Sequence, residues 1–151
     1  MAYVRTAETF KTAAAGRSYG KRMTPQLDMI GLIADDLTRT LAFYRRLGLE
    51  FEDGAENQPH VEATLPGGVR IAWDPVETIR SFQPDFEPSY GGGRIGLAFT
   101  CVDAADVDAT YEKFVADGHR GLRAPWDAPW GQRYATIEDP DGNGIDLFAW
   151  S

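Results

Sequence analysis

The spacing of apolar residues along the chain first indicates a strand and then a helix. Residues 27–34 form a largely apolar run, which is typical of a buried strand. Apolar residues then recur every three or four positions until Gly48, a residue that commonly ends a helix. Asp35 or Asp36 is the predicted N-cap. The buried stripe of this predicted helix consists of Leu37, Leu41, Tyr44 and Leu47.

The same order of elements recurs in the second half of the chain. The pattern predicts a strand over 94–102 and a helix between Asp103 and Gly118, whose apolar stripe includes Val107 and Phe114. Between the two halves, residues 76–93 are rich in proline and glycine and are predicted to be a linker. Short strands are predicted near 49–52, 60–65 and 69–73 after the first helix, and near 121–125, 131–138 and 144–149 after the second.

Sequence repetition supports two copies of one structural unit. Ile30-Gly31-Leu32 is echoed by Ile95-Gly96-Leu97, and the segment 65–72 is echoed by 139–146. The predicted class is α+β, with two tandem βαβββ modules forming a curved mixed sheet around a cleft. The predicted boundaries are an N-terminal arm at 1–22 and a domain at 23–151, with module one at about 27–75, the linker at 76–93 and module two at about 94–150.

Composition and charge narrow the classes of partner. The net charge is −8, although residues 1–22 carry five basic residues against one acidic residue. An acidic body repels nucleic acid and favours neutral or cationic ligands. No apolar run approaches the length of a membrane helix, so we expect no membrane span. The single cysteine, Cys101, favours a cytoplasmic location and is predicted to be an inert core residue.

Three segments carry a resemblance to a known family. Ala34-Asp35-Asp36-Leu37, the run from Leu41 to Gly48, and Asp139-Pro140-Asp141-Gly142-Asn143 resemble the vicinal oxygen chelate superfamily across residues 27–150. This superfamily includes glyoxalases, bleomycin-resistance proteins and extradiol dioxygenases. The resemblance implies paired modules around a cleft, a small-molecule ligand and a homodimer. It does not choose an activity, because one fold supports many chemistries.

The resemblance also implies where metal ligands would stand. The corresponding positions are Met29 and Arg94 on the first strands of the modules, and Ala72 and Asp146 on the last strands. A shift of two residues in module two would replace Arg94 with Gly96. Only Asp146 is a metal ligand by chemistry, so we expect no metal and no cofactor. An ion pair between Arg94 and Asp146 is predicted in place of the metal.

A second possible metal site involves one of the two histidines. His60 and Glu62 share one face of a predicted strand, on the same side of the sheet as Arg70, and Glu62 is expected opposite Ala72. Together with Asp146 these two residues are an alternative metal site, and otherwise they form a polar strand face. His119 is predicted to be an exposed loop residue.

Aromatic residues indicate a ligand-binding wall. Trp126 and Trp130 flank a predicted loop at the cleft edge, whereas Trp73 and Trp150 are predicted to lie in the core or a dimer interface. Aromatic faces bind flat or cationic ligands by stacking and cation–π attraction. The predicted ligand-binding residues are Met29, His60, Glu62, Arg70, Arg94, Trp126, Trp130, Gln132, Tyr134, Asp146 and Phe148.

Three functions remain open. The first is a metal-free binding protein that sequesters an aromatic or cationic compound, such as an antibiotic, by affinity alone. The second is a glyoxalase-like lyase or isomerase, or a dioxygenase, with an atypical metal site or with acid–base residues such as His60, Glu62 and Tyr134. The third is a catalytically silent domain that acts through partners.

Overall fold

The computed structural model describes residues 25–90 and 95–150, which form two consecutive modules. The predicted arm at 1–22 and Arg94 lie outside the described residues. Module one contains β1 (Met29–Ala34), α1 (Leu37–Arg46), a 3-10 turn (Ala55–Asn57), β2 (Val61–Thr64), β3 (Arg70–Pro75) and the short helix α2 (Val76–Arg80). Module two contains β4 (Leu97–Thr100), α3 (Ala104–Ala116), β5 (Gly121–Ala128), β6 (Gln132–Glu138) and β7 (Gly144–Trp150).

The two sheets repeat one topology. The strand order is β1-β3-β2 in module one and β4-β7-β6-β5 in module two. The first strand of each module runs parallel to the last, while β2–β3, β5–β6 and β6–β7 are antiparallel. Parallel neighbours need a crossover connection, which α1 and α3 supply. The predicted α+β repeat is therefore confirmed, with three strands in module one and four in module two.

The strand predicted near 49–52 is wrong. Gly48 has φ +88°, and the Leu49 N–H donates to the Tyr44 carbonyl at 3.1 Å, so this backbone still belongs to the turn that ends α1. Leu49 and Phe51 pack against the core, which explains their strand-like alternation. Two other boundaries differ from expectation. The predicted linker begins with α2, and Trp126 lies within β5 rather than in a loop.

Both long helices begin as the sequence predicts. Of the two aspartates considered for α1, Asp36 is the cap, and its carboxylate accepts the Arg39 N–H at 3.2 Å. Asp103 caps α3 by accepting the Asp106 N–H at 2.8 Å, and the Asp106 carboxylate accepts the Val102 N–H at 3.0 Å. These bonds satisfy backbone donors that the first turn of a helix leaves free.

One core joins the modules through α1 and the turn at 139–143. Phe43 of α1 meets Phe114 of α3 with ring centroids 4.9 Å apart. The buried Tyr44 hydroxyl donates to Asp139 at 2.7 Å, and Asp141 accepts the Asp35 N–H at 2.8 Å. The turn that carried part of the family resemblance therefore fastens module two to the start of α1. These hydrogen bonds hold the position of one module relative to the other.

Several single-residue expectations can be compared with this core. Trp73 is fully buried, whereas Trp150 is 70% exposed. His119 is half-buried rather than exposed, because its ring packs against Phe43 and Phe114 at centroid distances of 5.0 and 5.4 Å. Cys101 is half-buried beside the core, and burial raises the pKa of its thiol.

Among the described helices, none is both long enough and apolar enough to cross a membrane.

Candidate functional site

Each sheet has one face on the core and one face that we call the open face. Ile71 and Trp73 of β3 and Ile145 and Leu147 of β7 are buried in the core, so the residues that alternate with them point to the open face. Every sequence-predicted ligand residue that lies in a described strand belongs to this open-face set. They are Met29, Glu62, Arg70, Trp126, Gln132, Tyr134, Asp146 and Phe148.

Strand register decides which residues of the two modules are equivalent. Ile30 is opposite Ile71 in module one, and Leu97 is opposite Ile145 in module two. The residue equivalent to Met29 is therefore Gly96, the one before Leu97. A Cβ added at Gly96 would lie 3.9 Å from Asp146 Oδ2, which brings the two positions together. The register thus favours the shifted alignment over the one that uses Arg94.

The residues at these positions do not fit a divalent cation. Ala72 and Gly96 supply no donor side chain, and the Met29 thioether is a soft donor that divalent cations such as zinc or magnesium bind poorly. Asp146 is therefore the single good ligand, whereas such a cation needs several. Within residues 25–90 and 95–150, no group of three or more His, Cys, Asp or Glu side chains could hold a metal ion. His60, Glu62 and Asp146 are therefore not grouped as a metal site in the described residues. Arg94 lies outside the described residues, so the Arg94–Asp146 pair stays a prediction.

The open face of module one carries an ionic patch, made of Asp28, His60, Glu62, Arg70 and Asp74. His60 Nδ1 lies 2.7 Å from Asp74 Oδ1, and its Nε2 lies 3.3 Å from Glu62 Oε2. Arg70 donates to the same Glu62 oxygen at 2.7 Å and also to Asp28. Sequence reasoning missed Asp28 and Asp74. Extending the hairpin register by one pair beyond Val61 opposite Trp73 would have placed Asp74 opposite His60.

The patch favours a protonated His60. The hydrogen bond to Asp74 is the main reason that the pKa of His60 is raised; burial opposes the shift, and the charges of Asp74 and Glu62 add to it. Asp74 and Glu62 each contact one ring nitrogen, and both nitrogens are donors only in the imidazolium. The two contacts therefore favour the imidazolium form of His60, which would lie between two carboxylates. Its side chain and that of Asp74 are 19% and 18% exposed, so water reaches the pair.

The open face of module two carries an aromatic wall, made of Trp126, Trp130, Tyr134 and Phe148. Trp126 and Trp130 meet edge to face at 5.4 Å, and Trp130 meets Tyr134 in the same way at 5.7 Å. Tyr134 and Phe148 are stacked at 6.3 Å with an interplanar angle of 21°. Cross-strand pairing explains this row, because Trp126 is opposite Tyr134 and Tyr134 is opposite Phe148.

Polar groups fix the orientation of the wall. The Trp130 indole N–H donates to Gln132 Oε1 at 2.8 Å, and Trp130 remains 53% exposed. The guanidinium of Arg123 lies 3.5 Å from the centroid of the Trp126 ring. Sequence reasoning missed Arg123, because the irregular register between β5 and β6 hides which side of β5 it occupies.

Asp146 stands beside the wall as an acceptor. The Thr136 hydroxyl donates to Asp146 at 2.8 Å. Burial raises the pKa of Tyr134 to about 12, with further contributions from a hydrogen bond to Asp146 and from its charge. The phenol of Tyr134 is therefore protonated at neutral pH and can donate a hydrogen bond. The wall offers one exposed ring, that of Trp130, three half-buried rings and one phenol, and Asp146 adds a carboxylate beside it.

A separate cavity of about 420 Å³ lies between the two modules, beside β1 and β4. None of the ten sequence-predicted ligand residues that the structure describes lines it. The residues that line it include Ile33, Leu97 and the segment 86–90, which sequence analysis placed in a linker. The sequence pattern predicts strands and helices, but it does not predict which strand edges lie close together. This cavity could therefore not be predicted from the sequence.

Comparison with known proteins identifies relatives by sequence model and by fold. The model described as the Glyoxalase/Bleomycin resistance protein/Dioxygenase superfamily matches residues 26–147. Comparison with curated proteins gives no significant match.

Solved structures with similar folds include three proteins from this family. A glyoxalase/bleomycin resistance protein/dioxygenase family enzyme from Burkholderia phytofirmans PsJN is 19% identical with a TM-score of 0.67, over 82% of this chain and 98% of that one. A glyoxalase-related enzyme from Fulvimarina pelagi is 21% identical with a TM-score of 0.67, over 83% and 88%. A glyoxalase/bleomycin resistance protein/dioxygenase from Nocardioides is 23% identical with a TM-score of 0.62, over 95% and 92%. These likenesses establish the fold and no particular activity.

Proposed function

Because the chain belongs to the glyoxalase/bleomycin resistance protein/dioxygenase superfamily, we propose that it binds a planar aromatic or cationic small molecule on the aromatic wall, without a metal. Sequestration of such a compound, for example an antibiotic, requires affinity alone. The observation that carries this proposal is the row of ring contacts through Trp126, Trp130, Tyr134 and Phe148 on an open face. Proteins rarely leave connected aromatic rings facing water unless they contact a partner or a ligand.

The preference for a planar cation rests on what already contacts the wall. Arg123 places a flat, positively charged guanidinium over the Trp126 ring. One ring of the wall therefore already binds the kind of group that we propose as the ligand. The exposed face of Trp130 offers the next stacking surface. Asp146 adds a carboxylate beside Tyr134, and the net charge of −8 draws cations towards the protein.

A matched set of small molecules tests the proposal. We expect N-methylquinolinium to bind more tightly than 1-naphthoate, which has a similar planar shape and the opposite charge, when binding is measured by calorimetry. Trp130→Ala should weaken N-methylquinolinium binding by about 1–3 kcal/mol, as for the loss of one stacking platform. Leu122→Ala is the matched control, since Leu122 is an exposed apolar residue of the same strand as Trp126. Equal binding of the two compounds, or no effect of Trp130→Ala, would contradict the proposal.

A second candidate function is acid–base catalysis by the ionic patch. The observation that favours it is the 2.7 Å contact between His60 and Asp74, since a carboxylate beside a histidine orients the ring and supports its protonated form. In a lyase or isomerase reaction without a metal, Glu62 would take the proton of a carbon acid and the His60 imidazolium would protonate the oxygen on which negative charge develops. Deuterium uptake from solvent into a hydroxyketone, abolished by His60→Gln with the fold intact, would support this candidate. Equal uptake by both proteins would reject it.

We also propose that the chain forms a homodimer, as the family resemblance implies. Trp150 is 70% exposed at the end of β7, and β5 lies at one edge of its four-stranded sheet. Exposed aromatic residues and free strand edges are both suited to pairing with a second copy. Light scattering at micromolar concentration should give twice the mass of one chain, and Trp150→Lys should reduce it. A single-chain mass for the unaltered protein would reject the dimer.

A further inference from the structure

The cavity between the modules lies along the edges of strands rather than on an open face. Ile30, Gly31, Leu32 and Ile33 all line it, although successive side chains of a strand point to opposite faces. A surface that touches consecutive residues must follow the strand's edge. Among the described residues, β1 is hydrogen-bonded to β3 alone and β4 to β7 alone, so both strands have an unpaired edge. The segment Phe86–Tyr90 closes the cavity on another side.

The described part of the lining carries acidic side chains and no basic ones. Its strand residues are mostly aliphatic, and Phe86 and Tyr90 add aromatic surface. Its carboxyl side chains are Asp35, Glu87 and Asp141, and no Lys, Arg or His of the described residues lines it. A volume of about 420 Å³ lies within the usual range for small-molecule sites.

Asp35 is the acidic residue that remains available to a ligand. Glu87 is paired with Arg80 at 3.1 Å. Asp141 already accepts the Asp35 N–H at 2.8 Å and the Thr40 hydroxyl. In contrast, the Asp35 carboxylate accepts no hydrogen bond from any residue in the described ranges, and Asp35 is an exposed residue of the lining. A ligand ammonium could approach Asp35 without breaking an existing contact.

We propose that this cavity is a second ligand site, independent of the aromatic wall, that binds a primary ammonium carried on a flexible apolar group. The ammonium lies at Asp35, and unpaired backbone carbonyls on the strand edges supply further acceptors. The apolar group packs against Ile33 and Leu97. This ligand class differs from that of the wall, where flat rings and a stacked Arg123 favour planar cations.

Three compounds of one shape test the charge preference. They are 4-phenylbutylamine, which is protonated at pH 7, 4-phenylbutanol, which is neutral, and 4-phenylbutyrate, which is an anion. We expect calorimetry to rank their affinities in that order, with at least a tenfold difference between the amine and the carboxylate. Equal affinities, or a preference for the alcohol, would overturn the cationic assignment and leave the cavity a site for neutral apolar molecules.

A single substitution tests the role of Asp35. Asp35→Asn should lower the affinity for the amine about threefold to tenfold, to the level of the alcohol, and should leave alcohol binding unchanged. Asp53→Asn is the matched control, because Asp53 is exposed, acidic and absent from the lining. We expect it to bind the amine as the unaltered protein does. An Asp35→Asn protein that retains the full preference for the amine would overturn the proposal.

The location is tested without relying on a substitution. In amide NMR spectra, the amine should shift the signals of Gly31 and Leu97 and leave the indole signals of Trp126 and Trp130 in place. Saturating N-methylquinolinium should not compete with the amine. Competition, or shifts confined to the indoles, would show that the amine binds the wall. Failure of quinolinium binding alone would reject the proposed function of the wall and leave this cavity standing.

Discussion

The two open faces use equivalent backbone positions for opposite chemistry. Glu62 is opposite Ala72 in module one, and Thr136 is opposite Asp146 in module two. The next pair on each open face lies two residues along the strand. It is His60 opposite Asp74 in module one and Tyr134 opposite Phe148 in module two. A charged pair at 2.7 Å therefore corresponds to a stacked aromatic pair at 6.3 Å.

The difference shows which positions of the repeat must keep apolar side chains and which positions can vary. The core faces of both hairpins are apolar, because a shift of one residue would expose the whole buried set. The open faces carry no such constraint, so one became an ionic patch and the other an aromatic wall. Function in this chain therefore depends on residues that the repeat does not fix.

The largest effect is expected from removing the one arginine of the ionic patch. Arg70→Met leaves the carboxylates of Asp28, Glu62 and Asp74 with His60 as their cation in the patch. The side chains concerned are partly exposed, so the loss lies between that of a surface pair and a buried pair, about 1–3 kcal/mol. Urea unfolding at pH 7 measures it.

Arg120→Met is the control for that experiment. Arg120 reaches Glu138 at 3.6 Å and its side chain is 73% exposed, so its pair should contribute less than about 0.5 kcal/mol. If Arg70→Met is no more destabilising than Arg120→Met, the ionic patch stabilises the fold no more than an ordinary surface ion pair does. The proposed contrast between a charged pair and a stacked aromatic pair would then be rejected.

The next largest effect should come from exchanging one pair for the other. Tyr134→His together with Phe148→Asp gives module two the charged pair of module one. Loss of the stacked rings and of the Trp130 contact should lower the free energy of unfolding by about 1–2 kcal/mol. N-methylquinolinium binding should also be lost. Retention of both properties would show that the wall depends on neither ring.

The sequence predicted the fold better than the open faces because the two are encoded differently. The repeat of apolar positions and the caps at Asp36 and Asp103 are local patterns, and the structure confirms them. The strand prediction near 49–52 was wrong because Leu49 and Phe51 alternate as in a strand, while their backbone pairs with no strand and the Leu49 N–H donates to the turn that ends α1. Alternation alone does not supply a neighbouring strand.

The open-face residues were found in part. Glu62, Tyr134, Asp146 and Phe148 followed from counting back from the hairpin turns. Asp28 was missed because its contact with Arg70 joins residues 42 apart, a distance at which no hairpin register applies. Arg123 was missed because a register shift lies on each side of it in β5.

A smaller effect is expected from weakening the His60–Asp74 pair. Since the pKa of His60 is raised in the folded protein, the pair stabilises the fold below about pH 6.5, the value for an unfolded histidine, and the stabilisation is lost as pH rises through the folded pKa. Asp74→Asn should lower the pKa of His60 and flatten this dependence. The change in unfolding free energy between pH 6 and pH 8.5 should be below about 1 kcal/mol.

Histidine NMR titration checks this directly and contains its own control. His119 lies in the other module, where burial and Arg46 lower its pKa, so the two histidines should titrate on opposite sides of pH 6.5. Asp74→Asn should move His60 and leave His119 unchanged. A His60 that titrates at the same pH in both proteins would mean that Asp74 does not hold it.

The smallest effect concerns the corresponding position on the wall. Tyr134 has a pKa of about 12, raised first by burial and then by Asp146, so Asp146→Asn should lower this pKa while leaving it above 10. Since the folded protein holds the phenol proton more tightly than the unfolded chain, stability falls as pH rises from 10 towards 12. The difference between titrations with and without Tyr134→Phe isolates this residue. At pH 7 the phenol is protonated in both states, and an asparagine can still accept the Thr136 hydroxyl, so stability there should hardly change. An unchanged Tyr134 pKa in Asp146→Asn would separate the carboxylate from the wall, and the wall would then attract cations through its ring faces alone.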